Sequence, residues 1–388
     1  MQIRLFDGKD REHLLPFVYL RPVADLFMGA LTFRERWKHL TADSVSVETV
    51  DSLQESEEST PDRCVLAALI PTTSFVESVQ ALAPNQKLVC DDLVLAYHGE
   101  LPSNDPALAS YQSISIDQSA FTHIKHSWDI FLCNAHALAH DIPLLSKNRI
   151  SNAISDTNLT IADGSIFIGS QVNMEGGTLN TTDGPIFIDE GATIMEGSLL
   201  RGPLYVGKNS VIKMGTKVYA NCSFGPSVKV GGEINNVVFF GNSNKGHDGF
   251  LGNAVIGEWC NIGAGTDASN LKNDYGLVRV WDYASGNFAK TDLQFCGLLM
   301  GDHSQCAIQT TFNTATVVGI GCNLFGHGFP RQFIPSFSRG GAQGFSENRL
   351  DKVIETAKAM KKRRGVDFTS ADHDRLQDIF QKTASFRN

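Results

Sequence analysis

The sequence lacks any apolar run approaching the roughly 20 residues that a membrane-spanning helix needs, so no such helix is predicted. It is also short of basic residues, with 33 Lys and Arg against 42 Asp and Glu and a net charge of -9. Proteins that bind nucleic-acid phosphates usually carry a basic excess. The segment from Met1 to Asp7 carries charge too early for a signal peptide. We therefore expect a cytoplasmic protein with neither a nucleic-acid nor a membrane partner.

Cysteine pairs are missing as well. The eight cysteines are scattered along the chain. None of them forms the C-x-x-C spacing that is typical of zinc sites and of thiol–disulfide exchange. We interpret them as small buried thiols in a reducing compartment.

What the chain has instead is an apolar residue at every sixth position. Eight successive positions keep one phase: Ile188, Ile194, Leu200, Val206, Ile212, Val218, Phe224 and Val230. Because 42% of the residues are hydrophobic, the probability that eight such positions in one phase are all apolar by chance is about one in a thousand. Three hexapeptide repeats form one coil of a triangular parallel β-helix, whose coils stack at the strand spacing and bury a common core. The repeat predicts a left-handed β-helix over residues 149–340.

The repeat changes phase twice, which predicts inserted loops at about 235–245 and 267–299. The second segment is long and polar, and loops of that length in a compact solenoid are typically functional or reach a neighbouring subunit. A β-helix of this kind is expected to form a trimer, which would place active sites between the prisms, within reach of this segment.

The flanking regions have different patterns. Residues 1–148 mix strand-like and helix-like segments, which predicts an α/β domain with strands at 2–6, 64–70 and 87–97 and an acidic loop at 48–62. Residues 341–388 predict a helical tail.

The tail sequence predicts two helices. The first covers Glu347 to Arg364 after a Ser346 cap, and its basic run, residues 361–364, suits the negative end of a helix. The second begins at Thr369 or Ser370.

One histidine stands beside the phase change, in Asn244-Lys245-Gly246-His247. Phe250-Leu251-Gly252 follows, and then Asn261-Ile262-Gly263-Ala264-Gly265-Thr266. This arrangement resembles the acetyltransferase half of the GlmU-like family, bifunctional UDP-N-acetylglucosamine pyrophosphorylases and glucosamine-1-phosphate N-acetyltransferases. The domain order matches too, and the resemblance extends over roughly half the chain. Within the family, the chain resembles a shortened, Bacteroidetes-type member.

The resemblance implies that His247 is the general base. It would take a proton from the sugar ammonium so that the amine can attack the thioester of acetyl-CoA, and an imidazole with a pKa near ~6.5 suits that role. The implied substrate-binding positions are Lys229, Asn235, Lys245, Phe250 and Asn261. The implied acetyl-CoA positions are Ala264, Asn270, Ile308 and Gly326, with Arg331 and Arg339 as partners for coenzyme A phosphates or as ordinary surface arginines. Phe250 replaces a family tyrosine, and the family's sugar-phosphate Arg and Lys have no clear counterparts.

The N-terminal region resembles a shortened sugar nucleotidyltransferase. Leu14 to Pro22 is similar to the segment after the family's glycine-rich loop, although that loop is absent here. Leu88-Val89-Cys90-Asp91-Asp92 is similar to the strand that ends in a magnesium-binding Asp. The resemblance implies a nucleotide or Mg²⁺ site at Arg21, Asp92 and Asn134. An active domain and a vestigial or regulatory one both remain open.

We therefore predict an acetyl-CoA-dependent N-acetyltransferase of an amino sugar phosphate, coupled to sugar-1-phosphate nucleotidyl transfer and to nucleotide-sugar synthesis. One alternative is a nucleotidyltransferase whose β-helix serves only oligomerisation. A second is a β-helix carbonic anhydrase that binds zinc through His247, His303 and His327. A third is a non-catalytic scaffold.

Overall fold

The computed structural model describes residues 2–41, 44–54 and 61–387. The chain divides into two compact units. The first contains Met1–Leu14, Val18–Phe27 and Leu31–His126, and the second contains Leu15–Phe17, Met28–Ala30 and Ser127–Asn388. Residues 127–148, which the sequence assigned to the first domain, thus pack within the second unit. In the described part of the chain, no helix combines the length and apolar character needed to cross a membrane.

The first unit is built on a mixed sheet with strand order β4-β1-β5-β8-β7-β9, in which β1 runs parallel to β4 and β5. The strands up to residue 126 are β1 (Gln2–Phe6), β2 (Phe27–Met28), β3 (Leu31–Thr32), β4 (Ser44–Glu48), β5 (Arg63–Leu66), β6 (Leu69–Pro71), β7 (Gln86–Cys90), β8 (Leu93–His98), β9 (Gln112–Ser115) and β10 (Phe121–His123). The helices are α1 (Phe33–Thr41) and α2 (Thr73–Ala81), which bury Trp37 and Phe75 against each other.

The α/β prediction is confirmed, with three local corrections. The predicted strand at 64–70 is two strands, β5 and β6, which belong to different sheets. The predicted strand at 87–97 is a hairpin that turns at Asp91 and Asp92, because Asp91 adopts a left-handed backbone (φ 49°). The predicted loop at 48–62 contains a short 3₁₀ helix, Asp51–Leu53, and residues 55–60 lie outside the described residues.

The second unit begins with α3 (Asp129–Leu132) and α4 (Asn134–Ser146) and continues as a left-handed parallel β-helix, as predicted. Its strands before the second phase change are β11 (Leu159–Ile161), β12 (Ile166–Ile168), β13 (Asn173–Met174), β14 (Thr178–Asn180), β15 (Ile186–Ile188), β16 (Thr193–Ile194), β17 (Leu199–Arg201), β18 (Leu204–Val206), β19 (Val211–Ile212), β20 (Lys217–Val218), β21 (Cys222–Phe224), β22 (Lys229–Val230), β23 (Glu233–Phe239), β24 (Asn244–Lys245), β25 (Phe250–Ile256), β26 (Asn261–Ile262) and β27 (Asp267–Ala268). The later strands are β28 (Arg279–Asp282), β29 (Asn287–Lys290), β30 (Leu299–Met300), β31 (Gln305–Cys306), β32 (Thr311–Phe312), β33 (Val317–Val318), β34 (Asn323–Leu324), β35 (Phe333–Ile334), β36 (Ser338–Gly341) and β37 (Gly344–Glu347).

The hexapeptide positions form the core of this β-helix. All eight residues of the first phase, from Ile188 to Val230, are at most 3% exposed. Successive coils pair in parallel register, so that Ile194 lies beside Ile212 and Ile212 beside Val230. These steps of 18 residues are three hexapeptides, one for each side of the prism.

The first phase change is a shortened coil, and the predicted loop at 235–245 is wrong. Val230 pairs with Lys245, 15 residues later, while β23 runs without interruption through residues 233–239. A phase defined modulo six cannot tell a shorter coil from a longer one, so the sequence left the sign of the change undetermined.

The second phase change is the predicted insertion. Ile262 pairs with Cys306, 44 residues later instead of 18. The inserted segment contains the antiparallel hairpin β28–β29. Its Trp281 stacks on Phe333 with ring centroids 4.0 Å apart, so the hairpin packs on a later coil of its own chain.

The tail contains α5 (Leu350–Arg363) and α6 (Ser370–Lys382). The first helix starts later than predicted because Ser346 lies in β37, which pairs with β36 and closes the last coil. The second starts as predicted, since Thr369 forms a capping box with Asp372.

Candidate active site

His247 lies in the bend that follows β24, with its side chain exposed to solvent. It borders a cavity of about 680 Å³ between the wall of the β-helix and helix α5. The β-helix side is lined by Asn261, Gly263, Ala264 and Ile308, among others. An exposed imidazole at the edge of a cavity of this size can exchange a proton with a bound amine.

The cavity brings together residues that the resemblance assigned to three different roles. His247 is the predicted base, Lys229 and Asn261 are predicted acceptor-binding residues, and Ala264 and Ile308 are predicted acetyl-CoA positions. They lie on neighbouring coils because β22, β24, β26 and β31 stack in one sheet. The parallel stacking therefore explains how residues distant in sequence line one cavity.

Among the described residues, Lys245 does not line this cavity, and its role in substrate binding stays a prediction that its burial disfavours. It occupies a core position of the prism and is only 1% exposed. Its ammonium donates hydrogen bonds to the carbonyl oxygens of His247 (2.8 Å) and Gly231 (3.3 Å). Burial lowers the pKa of Lys245 to about 8, and the charges of Asp267 and Asp248 oppose that shift. The residue thus fixes the backbone at His247 from inside the β-helix.

Three predicted residues lie elsewhere on the β-helix. Asn235 is in β23, half-buried beside Gly252 of the next coil. The amide nitrogen of Phe250 bonds to Asp267, and the side chain of Asn270 donates to Asn253 Oδ1 at 2.8 Å. None of the three lines the His247 cavity in the described residues, so a substrate contact from any of them remains a prediction.

Among the remaining predicted acetyl-CoA positions, Arg339 borders a cavity next to that of His247. It lines a second cavity of about 420 Å³, and Gln305 and Thr356 line both cavities. The two cavities are therefore adjacent beside α5. Arg331 packs over the Phe345 ring, and Gly326 lies exposed at a turn with φ 105°; neither borders the His247 cavity in the described residues.

Sequence reasoning missed the cavity's basic lining. Lys213, Arg363 and Arg364 border it in addition to Lys229. The basic run at residues 361–364 was the available signal, but the sequence could not show that α5 folds back onto the β-helix.

The predicted nucleotide and metal residues are divided between the two units. Asn134 is fully buried within the second unit. Its Oδ1 accepts hydrogen bonds from Gly29 N and Ser223 Oγ, and its Nδ2 donates to Asn221 O at 2.8 Å. With these bonds made, Asn134 serves in packing, and its place near a metal stays a prediction that its burial disfavours. Asp92 and Arg21 belong to the first unit.

The first unit has its own cavity of about 540 Å³ at the carboxyl ends of β1 and β4, the usual ligand position in such sheets. Asp7, Arg11, Thr49 and Asp92 are among its lining residues. Asp7 Oδ2 accepts from Arg11 Nη1 at 2.6 Å, and burial lowers the Arg11 pKa even though Asp7 opposes that shift. The pair orders the segment where the family carries a glycine-rich loop.

These carboxylates do not fit a Mg²⁺ site. Both oxygens of Asp7 already accept hydrogen bonds, from Val23 N and from Arg11 and Thr49. Asp92 lies exposed in the β7–β8 turn, and no group of three His, Cys, Asp or Glu side chains suited to a metal occurs among the described residues. No step through Mg²⁺ follows from this geometry.

The three histidines of the carbonic anhydrase alternative differ in their surroundings. His303 is 8% exposed and stacks on Trp259 with ring centroids 6.4 Å apart, whereas His247 and His327 are exposed. The described part of one chain does not bring them together around a metal.

Residues 3–150 match a family described as sugar nucleotidyl transferase. The bifunctional protein GlmU of Wigglesworthia glossinidia brevipalpis is 27% identical over 171 residues, which cover 44% of this chain and 33% of that protein. GlmU of Methanococcus maripaludis is 27% identical over 197 residues, covering 50% and 41%. The matches to these two relatives thus span well under half of their length.

GlmU of Legionella pneumophila is 21% identical over 344 residues, covering 72% of this chain and 70% of that protein. These similarities confirm the predicted resemblance to the GlmU-like family and agree with a transferase.

Two solved structures have a low similarity to this chain. LpxA from Bacteroides fragilis, a UDP-N-acetylglucosamine acyltransferase, has a TM-score of 0.33 and 11% identity, covering 60% of this chain and 98% of that one. The Arabidopsis UDP-N-acetylglucosamine acyltransferase has a TM-score of 0.22 and 13% identity, covering 60% and 93%.

Proposed function

On the premise that this is a GlmU-like chain, we propose that its β-helix transfers an acetyl group from acetyl-CoA to the amine of an amino sugar phosphate. The observation that carries the proposal is the shared cavity of His247, Asn261, Ala264 and Ile308. It holds a candidate base together with the residues predicted to bind acceptor and donor.

In the proposed reaction, His247 acts as the general base. Its imidazole removes a proton from the sugar ammonium, the free amine attacks the thioester carbonyl carbon, and the nitrogen of the adduct loses a second proton to solvent. The tetrahedral adduct collapses by breaking the carbon–sulfur bond, and the imidazolium returns the proton to the departing thiolate. The products are the N-acetyl sugar phosphate and coenzyme A.

Two adjacent cavities beside α5 suit an elongated donor. The His247 cavity and the cavity of Arg339 share Gln305 and Thr356 as lining residues. In this proposal the acetyl group lies beside His247, and Arg339 pairs with a phosphate of coenzyme A. Asn261, exposed on β26, hydrogen-bonds the sugar.

The direct test is product identification by mass spectrometry after incubation with acetyl-CoA and a panel of amino sugars, with and without a 1-phosphate. We expect acetylation of an amino sugar 1-phosphate such as glucosamine 1-phosphate. The proposal would be contradicted if no member of the panel were acetylated.

A second activity, sugar-1-phosphate nucleotidyl transfer, is favoured by the family match at residues 3–150 and the cavity at the end of β1. Its test is pyrophosphate release from UTP and other nucleoside triphosphates with a sugar 1-phosphate and added Mg²⁺. Release without acetyl transfer would support the alternative in which the β-helix serves only oligomerisation. Release in neither assay would indicate a vestigial domain.

A further inference from the structure

The cavity beside His247 gathers positive charge from three separate segments. Lys213 follows β19, Lys229 lies in β22 on the next coil, and Arg363 and Arg364 stand at the end of α5. Among the described residues that line this cavity, none is acidic. This concentration is unusual in a chain whose net charge is -9.

The contacts of Arg364 show that the helix end is fixed against the β-helix. Its Nη1 donates to the carbonyl oxygen of Ser227 at 2.7 Å, and its Nη2 donates to Asn244 Oδ1 at 2.8 Å. Asn244 is only three residues before His247. The end of α5 is therefore attached to the strand that precedes the candidate base.

Lys213 and Lys229 approach the same place from the β-helix. A Cβ atom placed on Gly246 would lie 3.9 Å from Lys213 Cε, so this side chain extends toward the residue before His247. The pKa of Lys229 is lowered, first by burial and then by the charges of Arg364, Lys213 and Arg363. These cations are close enough to repel one another.

The helix dipole explains only part of this arrangement. Basic residues in the last turn of α5 interact favourably with the negative end of the helix. That effect does not account for Lys213 and Lys229, which belong to the β-helix and face the same cavity. Mutual repulsion raises the free energy of the empty cavity, and a bound anion would relieve it.

We propose that Lys213, Lys229, Arg363 and Arg364 form a phosphate-binding site that holds a phosphorylated substrate beside His247. Arginine and lysine both bind phosphate, and the planar guanidinium can do so through two hydrogen bonds. The identification of this phosphate with a substrate rests on the proposed function. The tail helix would then supply cations in place of the family's sugar-phosphate residues.

The phosphate has two possible sources, the amino sugar phosphate and coenzyme A, and two probes distinguish them. Isothermal titration calorimetry at fixed ionic strength would measure binding of glucosamine 1-phosphate and of 3′,5′-adenosine diphosphate, which represents the phosphorylated end of coenzyme A. The variants are Arg363→Gln and Lys229→Gln, since both side chains are exposed. Lys362→Gln is the matched control: it removes one exposed charge from the same helix turn but does not line the cavity in the described residues.

We expect each cavity variant to weaken at least one probe by about tenfold, as loss of a charged hydrogen bond does, and the control to change neither by more than about twofold. The affected probe identifies the source. The proposal is overturned if the cavity variants bind both probes as the wild type does, if Lys362→Gln weakens binding equally, or if the wild type binds neither probe. Melting temperatures would verify that the variants remain folded. Arg363-dependent binding without acetyl transfer would refute the proposed function and leave the phosphate site standing.

Discussion

The ammonium of Lys245 donates a hydrogen bond to the carbonyl oxygen of His247 at 2.8 Å from inside the β-helix. A lysine thus takes a core position between Val230 and the following coil, where the repeat otherwise places apolar side chains. Burying a charge is costly, and here the buried group contacts the backbone of the candidate base.

The first prediction concerns stability and pH. The pKa of Lys245 is lowered from its ordinary value of 10.5 to about 8. Between these two values the unfolded chain binds the proton and the folded chain does not, so folding becomes more favourable as the pH rises. Below about pH 8 the lysine is charged in both states and the cost of burial is fully present.

Lys245→Met removes this titration. We expect the melting temperature of the wild type to rise relative to that of Lys245→Met between about pH 8 and pH 10.5, by the equivalent of up to ~3 kcal/mol. Differential scanning calorimetry across this range measures the difference. A difference independent of pH would contradict the buried, hydrogen-bonded lysine.

The second prediction concerns the effect of Lys245 on acetyl transfer. Without its ammonium, the carbonyl of His247 loses a buried donor and the imidazole is less well positioned. We expect Lys245→Met to lower kcat about tenfold with little change in KM. Lys217→Met, an exposed lysine in β20, is the control and should retain wild-type kcat. A change in KM alone would indicate the direct substrate contact that the structure does not show.

The third prediction compares the two glycines that flank His247. Gly249 has φ 120°, and a Cβ there would collide with the backbone carbonyl of Thr266. At Gly246 the nearest atom is the flexible end of Lys213, at 3.9 Å. Gly249→Ala should therefore destabilise the protein by about 1–3 kcal/mol, and Gly246→Ala by less than about 1 kcal/mol. Thermal unfolding of both variants tests this, and equal losses would contradict the described bend.

The fourth prediction tests whether Asn134 serves in packing or in metal binding, with Asp92 for comparison. Asn134→Ala leaves Gly29 N and Asn221 O without their buried partner, and we expect a loss of about 2–4 kcal/mol. Asp92→Asn, in an exposed turn, should leave stability unchanged. If Asn134→Ala instead melted as the wild type and lost Mg²⁺-dependent nucleotidyl transfer, the metal role would be restored.

The hexapeptide positions were predictable because period-six burial has a single structural solution, and Ile188 to Val230 all point inward as expected. His247, Asn261, Ala264 and Ile308 were assigned to one site by the family resemblance, and the parallel stacking of successive coils explains why they line one cavity. Local signals were equally sufficient at Thr369, where the capping box is visible in the sequence.

What could not be predicted depended on tertiary contacts. Lysine is ordinarily a surface residue, so the sequence suggested that Lys245 binds substrate, and only the register shows that it faces the core. Arg363 and Arg364 were attributed to the helix end because nothing local reveals that α5 lies against β24. Asn134 was placed near a metal by the family resemblance alone, and the sequence could not show its three buried hydrogen bonds because they join distant segments.

The most direct test of the central claim is the rate of coenzyme A thiol release from acetyl-CoA in the presence of glucosamine 1-phosphate, for the wild type, His247→Ala and His327→Ala. His327 is the matched control, an exposed histidine of a later coil that does not line the His247 cavity in the described part of the chain. We predict that His247→Ala lowers kcat by about 100-fold to 10,000-fold, the range of a lost general base, and that His327→Ala retains the wild-type rate. Equal rates for the wild type and His247→Ala would contradict the assignment of His247 as the base.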